Sequence, residues 1–444
     1  MKSITIEGNV PLNGAVTPSG SVISASKLIF ASLFTSEDVV LTNVPRVDYI
    51  ENDLALIESV GGIYKWTDDN KVLINNSGVN THRVPFELGS KYRTTLLMVA
   101  PLVFRFGKAI IPQPTRTETA PQGISRPINR YIEIWESLGF RVQQDKEWLS
   151  ISADTPMATT VSFKNSTHMG TENAILSALF ISGKTVINNA AEEAESEDLI
   201  SFVNSMGAKV TRIEPRRIEV EGTSIFKGSS FTVQNDKNEV VNLAIAGLIT
   251  EGTVTVRSVN KVAIAPFLNV LNKLGANYEF QGEDLTVWHR GDALAPANVS
   301  SAPAPGFLTD WMAPLCVLLT QAQGESLLNE GVYVNPWGFS RDLNRMGADI
   351  TPCAPSEVGL EAIIRDDSYV LESRGEPLNA VKVAGPTPLR GTIVDVLDMK
   401  SGMALIIAAL GASGVSEIRG YDIVERFNEG FIKKLISLGA GISD

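Results

Sequence analysis

The side chains that most often bind metals or form disulfides are few and scattered in this sequence. Cys316 and Cys353 are its only cysteines, and they do not form a CxxC pair. This spacing excludes a disulfide framework and a zinc ribbon. His82, His168 and His289 are equally dispersed. The sequence therefore contains no recognisable metal-binding pattern.

The charge balance favours small anions over nucleic acid as ligands. The chain has 38 Lys and Arg against 50 Asp and Glu, a net charge of −12. Nucleic acids are held by clustered Lys and Arg that neutralise the phosphate backbone, and an acidic protein is poorly suited to that task. An anion site must therefore be a local island of basic residues, whose focused field can still attract a small anion. We expect small-molecule substrates and no nucleic-acid partner.

Length and hydropathy predict a globular protein of two to three domains. The 444 residues have 44% hydrophobic and 20% charged content, enough to bury a large core. The longest apolar runs, such as residues 402–410, are about half the length that crosses a bilayer. No basic-then-apolar leader opens the sequence. We expect a cytoplasmic protein without membrane contact, either a monomer or a weak oligomer.

One helix-to-strand pattern recurs six times along the chain. Each copy joins a helix rich in Ala and Leu to a β-branched strand through a short polar break, in residues 28–44, 94–114, 172–190, 239–259, 310–331 and 401–420. A second helix closes each copy, and its last apolar residue precedes Gly61, Gly139, Gly207, Gly275, Gly347 or Gly439. Glycine at that place predicts a left-handed helix stop.

The six copies divide into three plus three, with a boundary near residues 231–238. The first helix of each copy is apolar on nearly every face, which predicts that it lies inside its domain. The fold class predicted from this pattern is α/β, with two domains of three repeats each.

Several segments resemble one known family over essentially the whole chain. They are Leu12-Asn13-Gly14, Pro18-Ser19-Gly20, Asn43-Val44-Pro45, Thr171-Glu172-Asn173, Asn189-Ala190-Ala191 and Thr309-Asp310. They look like UDP-N-acetylglucosamine enolpyruvyl transferase, or 1-carboxyvinyltransferase. The chain is more distantly similar to EPSP synthase, the enolpyruvyl transferase of the shikimate pathway.

The resemblance implies a two-domain inside-out α/β barrel of six βαβαββ units. The first domain is expected at residues 22–234, with a lid loop at 112–125, and the second at 1–21 plus 235–444.

The resemblance also implies a reaction in which the carboxyvinyl group of phosphoenolpyruvate passes to a sugar hydroxyl through a tetrahedral phospho-intermediate. No metal or organic cofactor takes part in that reaction.

Such chemistry needs cations for the phosphate and carboxylate, a base for the hydroxyl and an acid for the vinyl carbon. By the resemblance, Asp310 matches the carboxylate that contacts the reacting hydroxyl and is the candidate base. Lys400 occupies a position at which the family has an arginine. The positive charge is kept, but the planar guanidinium that can bind a carboxylate through two hydrogen bonds is lost. The other candidate substrate-binding residues are Arg93, Arg126, Arg426, Glu193, Glu195 and Thr167.

Other positions depart from the family pattern. Val22 and Ile23 occupy the places of a Lys-Asn pair whose lysine binds the donor. Lys27, about one helical turn further on, is a candidate substitute, but the interpretation we favour is a solvated or interfacial lysine. Pro336 occupies a position at which the family has a further arginine. Met169 occupies a position at which the family has a glycine, in the segment whose backbone binds the diphosphate. A side chain there could keep the diphosphate away from the backbone.

The lid loop lacks the cysteine that serves the family as proton donor and fosfomycin target. Glu118 is its only acid, so it is the candidate general acid, with a solvated loop carboxylate as the alternative. We expect insensitivity to fosfomycin. Ile128-Asn129-Arg130 also departs from the family in a segment linked to uracil recognition, so the acceptor is open.

Three hypotheses follow from the family's site residues that this chain retains and those that it lacks. The favoured one is a divergent enolpyruvyl transferase that acts on a different nucleotide or sugar hydroxyl. The second is the ordinary cell-wall reaction with a rebuilt donor site. The third is a catalytically inactive homologue that acts as a nucleotide-sugar binding protein or as a regulatory protein.

Overall fold

The computed structural model describes residues 2–114, 128–291, 293–365 and 369–443. Its strands are β1 Ser3–Glu7, β2 Asn13–Val16, β3 Val39–Thr42, β4 Ile63–Asp68, β5 Lys71–Asn75, β6 Lys108–Pro112, β7 Arg141–Gln144, β8 Trp148–Ser152, β9 Thr160–Ser162, β10 Lys184–Asn188, β11 Lys209–Glu214, β12 Arg217–Glu221, β13 Ser229–Thr232, β14 Thr253–Val256, β15 Asn277–Gln281, β16 Asp284–Trp288, β17 Asn298–Ser300, β18 Gly324–Asn329, β19 Asp349–Cys353, β20 Ala380–Gly385, β21 Ile393–Asp395, β22 Val415–Arg419 and β23 Gly441–Ser443.

The α-helices alternate with these strands along the chain. They are α1 Val22–Ala31, α2 Asp48–Ser59, α3 Phe86–Gly89, α4 Val99–Phe106, α5 Asn129–Ser137, α6 His168–Ala178, α7 Ala194–Ser205, α8 Lys237–Ile249, α9 Ala265–Leu274, α10 Met312–Leu319, α11 Ser340–Arg345, α12 Leu371–Arg374, α13 Met399–Gly411, α14 Asp422–Glu425 and α15 Phe431–Ser437. Short 3₁₀ helices occupy Ser32–Phe34, Arg93–Met98, Thr309–Trp311 and Pro355–Val358. Within the described ranges, no helix has the length and apolar character needed to cross a membrane.

The described chain forms two compact units. The first unit comprises residues 20–114 and 128–234, and the second comprises residues 2–19 and 235–443. Each unit has its own hydrophobic core and three of the six sheets.

Five of the six described sheets share one strand order. In these five, a strand that follows a buried helix is flanked on one side by two antiparallel strands and on the other by a parallel strand, whereas the three-stranded sheet has the antiparallel strands alone. In the first unit the orders are β4-β5-β3-β13, β7-β8-β6 and β11-β12-β10-β9. In the second they are β15-β16-β14-β2, β19-β20-β18-β17 and β23-β1-β22-β21. The predicted α/β class with six repeats in two groups of three is confirmed, although each described sheet is an open row of strands rather than a closed ring.

The N-terminal segment completes two sheets of the second unit. Strand β1 pairs antiparallel with β22, placing Ile4 opposite Ile418, and also with β23. It thereby takes the place that a hairpin strand has in the other sheets. Strand β2 pairs in parallel with β14, with Val16 opposite Val256. The beginning of the chain is therefore an integral part of the second unit.

A buried polar contact also anchors the N-terminal segment. The Ser19 amide donates to Glu239 Oε2 of α8 at 2.9 Å, and Lys434 Nζ of α15 donates to Ser19 Oγ at 2.5 Å. Lys434 also forms an ion pair with Glu239, whose side chain is buried. A charge inside a core must be paired, so this contact joins three segments at one place.

The apolar first helices lie inside their units, as predicted. All residues of α10 are buried, and α8, α10 and α13 contact one another in the second unit. In the first unit α6 contacts α4 and the 3₁₀ helix Arg93–Met98, and that 3₁₀ helix contacts α1. A helix enclosed on every side is stabilised by apolar contact around its whole circumference.

The six predicted glycine stops all adopt a left-handed or related backbone conformation. Their φ angles are positive, from 71° to 101°, at Gly61, Gly139, Gly207, Gly275, Gly347 and Gly439. An L side chain is strained at such angles, whereas glycine is not. The recurring glycine therefore sets where the second helix of each repeat ends.

Replacing one of these glycines tests that requirement without steric interference. Gly439 has φ +99° and no heavy atom within 4 Å of the place a Cβ would take. We expect Gly439→Ala to lower the free energy of unfolding by about 1–2 kcal/mol, measured by urea denaturation. Gly338 is equally open but has no positive φ, so Gly338→Ala should leave stability unchanged or slightly raised. Equal effects of the two variants would contradict the backbone explanation.

Candidate functional site

The buried helices of the second unit begin close to one another. Asp236 caps α8 by accepting the Asn238 amide at 2.7 Å, and Asp398 caps α13 by accepting the Ser401 amide at 2.9 Å. Trp311, just before α10, donates its indole N–H to Asn238 Oδ1 at 2.8 Å. Helix N-termini carry partial positive charge, so this grouping favours anionic ligands.

Asp310 and Lys400 meet at the starts of α10 and α13. Lys400 Nζ lies 2.8 Å from Asp310 Oδ1, and the two side chains are 13% and 30% exposed. The ammonium also lies 4.0 Å from the centroid of the Tyr333 ring. A carboxylate, a cation and an aromatic face therefore share one partly open place in the second unit. Two of the predicted site residues are brought together there.

A buried glutamate holds the turn that carries Asp310. Glu330 accepts the Thr309 hydroxyl at 2.7 Å and the Ser301 hydroxyl at 2.5 Å. Lys400 Nζ lies 3.4 Å from Thr309 Oγ1. Because Thr309 immediately precedes Asp310, these bonds restrict where the Asp310 carboxylate can point. The sequence names Thr309 only as part of the Thr309-Asp310 segment and does not single out Glu330.

Arg426 lies on a neighbouring element of the second unit. It directly follows α14, and its Nη2 is 3.5 Å from Asp422 Oδ2 one turn earlier. Helix α14 contacts α13, and Val424 packs where a side chain on Gly402 would be. The guanidinium is partly exposed. Arg426 therefore directly follows a helix that packs against the one carrying Lys400, and its described ion pair is with Asp422.

Arg93 begins the 3₁₀ helix that precedes α4 in the first unit. Its guanidinium carbon is 5.9 Å from the centroid of the Tyr131 ring. The next residue, Thr94, accepts the Tyr49 hydroxyl at 3.1 Å, and the Tyr49 and Tyr92 rings are 4.4 Å apart. Aromatic groups thus surround the turn that carries Arg93 and limit its freedom.

A buried carboxyl group lies beneath this turn. Asp53 of α2 is fully buried, and burial raises its pKa to about 8 despite polar contact with Ser26 and Thr94. Burial, followed by the nearby Asp53, raises the pKa of Tyr49 as well. Asp53 thus keeps its proton over most of the neutral range. The sequence singled out neither Asp53 nor Tyr49.

Lys27 is buried, and the favoured expectation of a solvated or interfacial lysine is wrong. Its side chain is 2% exposed and forms an ion pair with Glu172 of α6, which is 0% exposed. Although burial opposes ionisation, the charge of Lys27 and contact with His168 lower the pKa of Glu172 to about 2. The physical reason is that α1 is enclosed, so its one ammonium needs a buried counter-ion. In this state Lys27 is not accessible to a ligand.

The remaining described candidates of the first unit lie at helix starts. Thr167 caps α6 by accepting the Gly170 amide at 3.3 Å. Glu193 precedes α7 and Glu195 lies in its first turn, and Ser196 donates to Glu172 Oε1 at 3.1 Å. Met169 is buried in the hydrophobic core, so its side chain does not project outward at the start of α6.

Three predictions fall on residues outside the described ranges. They are Arg126, Glu118 and the greater part of the lid loop at 112–125. Both cysteines of the chain are described and buried, and burial raises the pKa of Cys316 to about 12. Neither is therefore a reactive thiolate.

One overlooked sequence signal could have located the buried ion pair. Lys27 and Glu172 are the only Lys, Arg, Asp or Glu within α1 and α6, and both helices are otherwise built from apolar and small polar residues. Opposite lone charges in two helices that must both be buried indicate a mutual pair. Glu330 offers no comparable signal, because it follows a strand in a segment of mixed polarity.

Comparison with known proteins gives a consistent result over the whole chain. The family model described as EPSP synthase (3-phosphoshikimate 1-carboxyvinyltransferase) matches residues 6–435. The UDP-N-acetylglucosamine 1-carboxyvinyltransferase of Protochlamydia amoebophila is 30% identical over 449 aligned positions, covering 100% of this chain and 94% of the relative. The enzyme of the same name from Bdellovibrio bacteriovorus is 30% identical over 440 positions, covering 99% of each.

Solved structures with the same fold are more distant in sequence. The enolpyruvyl transferase NikO from Streptomyces tendae superposes with a TM-score of 0.84 at 19% identity, covering 99% of this chain and 98% of its own. EPSP synthase from Acinetobacter baumannii gives 0.73 at 15% identity, with both chains fully covered. At these identities the likeness concerns the fold.

Removing one member of the buried Lys27 pair should be costly. We expect Lys27→Met to lower the free energy of unfolding by about 3–5 kcal/mol in urea denaturation, because Glu172 is left charged and unpaired inside the core. The double variant Lys27→Met with Glu172→Gln should recover most of the loss.

A surface pair in the same unit is the matched control. Lys184 pairs with Glu219 at 2.8 Å but is 59% exposed, so Lys184→Met should change stability by less than about 1 kcal/mol. A loss from Lys27→Met no larger than this would contradict the structural role of the buried pair.

The pH dependence of stability should report Asp53. Between pH about 4 and about 8 the unfolded chain has an ionised Asp53 while the folded chain keeps it protonated, so the free energy of unfolding falls as pH rises through this window. The contribution is up to about 1.4 kcal/mol per pH unit. We expect Asp53→Asn to remove this part of the slope in denaturation curves from pH 5 to 8. Asp48→Asn, on an exposed position of the same helix, should keep it, and parallel slopes for all three proteins would refute the assignment.

Proposed function

Because the chain belongs to the EPSP synthase (3-phosphoshikimate 1-carboxyvinyltransferase) family, we propose that it transfers the enolpyruvyl group of phosphoenolpyruvate to a hydroxyl of a nucleotide or nucleotide sugar, with release of phosphate. The observation that carries this proposal within the site is the Asp310–Lys400 pair beside the starts of α10 and α13. It unites a proton acceptor with a cation where helix ends favour anions.

The proposed reaction has two stages. In the addition, Asp310 accepts the proton of the acceptor hydroxyl as its oxygen bonds to C2 of phosphoenolpyruvate, while an acid protonates C3. In the elimination, a proton leaves C3 and phosphate departs, which restores the double bond. We assign the acid role to Glu118, the one acid of the lid loop.

Cationic side chains would hold the donor. Val22, at the start of α1, is buried and Lys27 is paired in the core, so neither supplies a cation to a ligand. We therefore assign the phosphate and carboxylate of the donor to Arg93, Arg126, Arg426 and Lys400. Charged groups preorganised around developing negative charge are worth several kcal/mol of barrier each.

The acceptor would be a nucleotide or a nucleotide sugar related to UDP-N-acetylglucosamine. The relatives from Protochlamydia and Bdellovibrio carry that sugar in their names. Thr167, Glu193 and Glu195 are grouped at the starts of α6 and α7 and are the proposed acceptor-binding residues. Because Ile128-Asn129-Arg130 departs from the family pattern, we favour an acceptor whose base or sugar differs from that of UDP-N-acetylglucosamine.

We also propose that the two units act as the domains of this enzyme. Residues 22–234 form the first, with residues 112–125 as its lid loop, and residues 1–21 with 235–444 form the second. Their substrates are small molecules.

A phosphate-release assay tests the proposal directly. Phosphoenolpyruvate is mixed with UDP-N-acetylglucosamine, other nucleotide sugars or nucleotides, and phosphate is measured over time. Turnover with UDP-N-acetylglucosamine would indicate the cell-wall reaction, and turnover only with another acceptor would indicate the divergent enzyme. Tight binding of donor and acceptor without phosphate release in any mixture would refute the proposal and identify a binding protein.

Asp310 should be needed for turnover. With the active acceptor, we expect Asp310→Asn to lower kcat about 10²- to 10⁴-fold, because the hydroxyl loses its proton acceptor. Asp342→Asn, at a surface ion pair with Arg345 in the same unit, is the matched control and should retain activity. Full activity of Asp310→Asn would remove Asp310 from the mechanism.

A further inference from the structure

A row of three polar side chains lies beneath the turn that carries Arg93. Tyr49 of α2 donates its hydroxyl to Thr94 Oγ1 at 3.1 Å, and the Thr94 hydroxyl is in turn a polar neighbour of the Asp53 carboxyl group. A hydroxyl carries one proton, so Thr94 can accept from Tyr49 and keep its own proton for Asp53. The row therefore connects a buried acid to the residue next to Arg93.

The buried acid, Asp53, has no cationic partner. Its side chain is fully buried, and within the described part of the chain neither carboxyl oxygen has a hydrogen bond of regular geometry. Its polar neighbours are Ser26 of α1 and Thr94, and burial raises its pKa to about 8 with no contribution from a charged group. Lys27, next to Ser26, is paired with Glu172 instead. Asp53 is therefore a neutral acid at neutral pH.

The charge of Arg93 is not neutralised by the groups around it. Among the residues that the structure describes, Arg93 belongs to no ion pair, and its guanidinium lies over the Tyr131 ring. Tyr49 lies within electrostatic reach of both Arg93 and Asp53, which act on its pKa with opposite signs. Burial is the larger effect and raises that pKa, so Tyr49 keeps its proton and remains a donor. A guanidinium, which keeps its charge in proteins, therefore lies near two acids that are both neutral at pH 7.

We infer that Asp53 is a positioning residue, which acts through Thr94 to hold the turn from which Arg93 binds the phosphoenolpyruvate anion. The inference rests on the proposed function, in which Arg93 is a ligand of the donor. A neutral acid can contact Thr94 without drawing the neighbouring guanidinium away from a substrate. An ionised Asp53 would be an internal anion that competes with the donor for Arg93. Donor binding and ionisation of Asp53 therefore oppose each other.

Steady-state kinetics at pH 7 with phosphoenolpyruvate and the active acceptor test the contact with Thr94. Asp53→Leu is similar in shape but has no polar group. We expect it to raise the KM for phosphoenolpyruvate about 10-fold and to change kcat less, because binding of the donor depends on where Arg93 is held. Thr94→Val should have the same effect. Asp53→Asn and Thr94→Ser keep a polar group at each position, so their KM values should stay within about 3-fold of the wild type.

A pH series separates this role from a purely structural one. As Asp53 ionises through its pKa of about 8, the wild-type KM for phosphoenolpyruvate should rise by up to about 10-fold between pH 7 and 9. Asp53→Asn cannot ionise and should lack this rise. Ionisation of the substrates is common to both proteins and cancels in the ratio of their KM values. Asp48→Asn, at an exposed position of the same helix, is the matched control and should follow the wild type.

The outcomes distinguish this inference from the proposed function. Turnover by the wild type, with an unchanged KM for phosphoenolpyruvate in Asp53→Leu and Thr94→Val, would overturn the role of Asp53 alone. A pH dependence that Asp53→Asn shares with the wild type would do the same, as would equal losses of affinity for both substrates, which indicate a general structural effect. Phosphoenolpyruvate binding without turnover, with dissociation constants in the expected order of variants, would support the role of Asp53 and reject the proposed reaction. A wild type that neither binds phosphoenolpyruvate nor releases phosphate from it would overturn both.

Discussion

The burial of α1, α6 and α8 on nearly every face places a strict condition on the charges in the interior of these helices. A charge that leaves water inside a protein must find a partner, since unpaired it costs several kcal/mol. Both units satisfy this condition with a lysine and a glutamate drawn from different helices. Lys27 of α1 pairs with Glu172 of α6, and Lys434 of α15 pairs with Glu239 of α8. Each pair fixes two helices relative to one another within its unit.

These pairs also connect the core with the ends of the helices. Glu172 lies one turn inside the start of α6 and contacts both His168 and Ser196, so a charge in the core orients groups at the helix start. Glu239 lies in the first turn of α8 and holds Ser19 of the N-terminal segment. The helix starts are where partial positive charge accumulates. Core stability and the arrangement of the polar groups at these helix starts therefore depend on the same contacts.

The site residues were accessible to sequence reasoning to different degrees. Asp310 and Lys400 are separated by 90 positions, yet the resemblance placed both at the site and the structure brings them within 2.8 Å. Lys27 differs from its expected solvated place because the burial of its helix, rather than its residue type, decides its exposure. Asp53 was missed because α2 carries charged residues on its other faces, and nothing in the sequence separates a buried carboxyl from the exposed ones beside it.

Local patterns in the sequence were enough for the repeat, the buried helices and the glycine stops. Each depends on neighbouring residues, since apolar periodicity and the backbone freedom of glycine act over one or two turns. The family was likewise recognisable from short segments along the chain. Only the tertiary structure decided that β1 joins β22 across more than 400 positions and that Lys27 faces Glu172. Those outcomes depend on which surfaces meet when the helices pack, and no local pattern encodes the choice among distant partners.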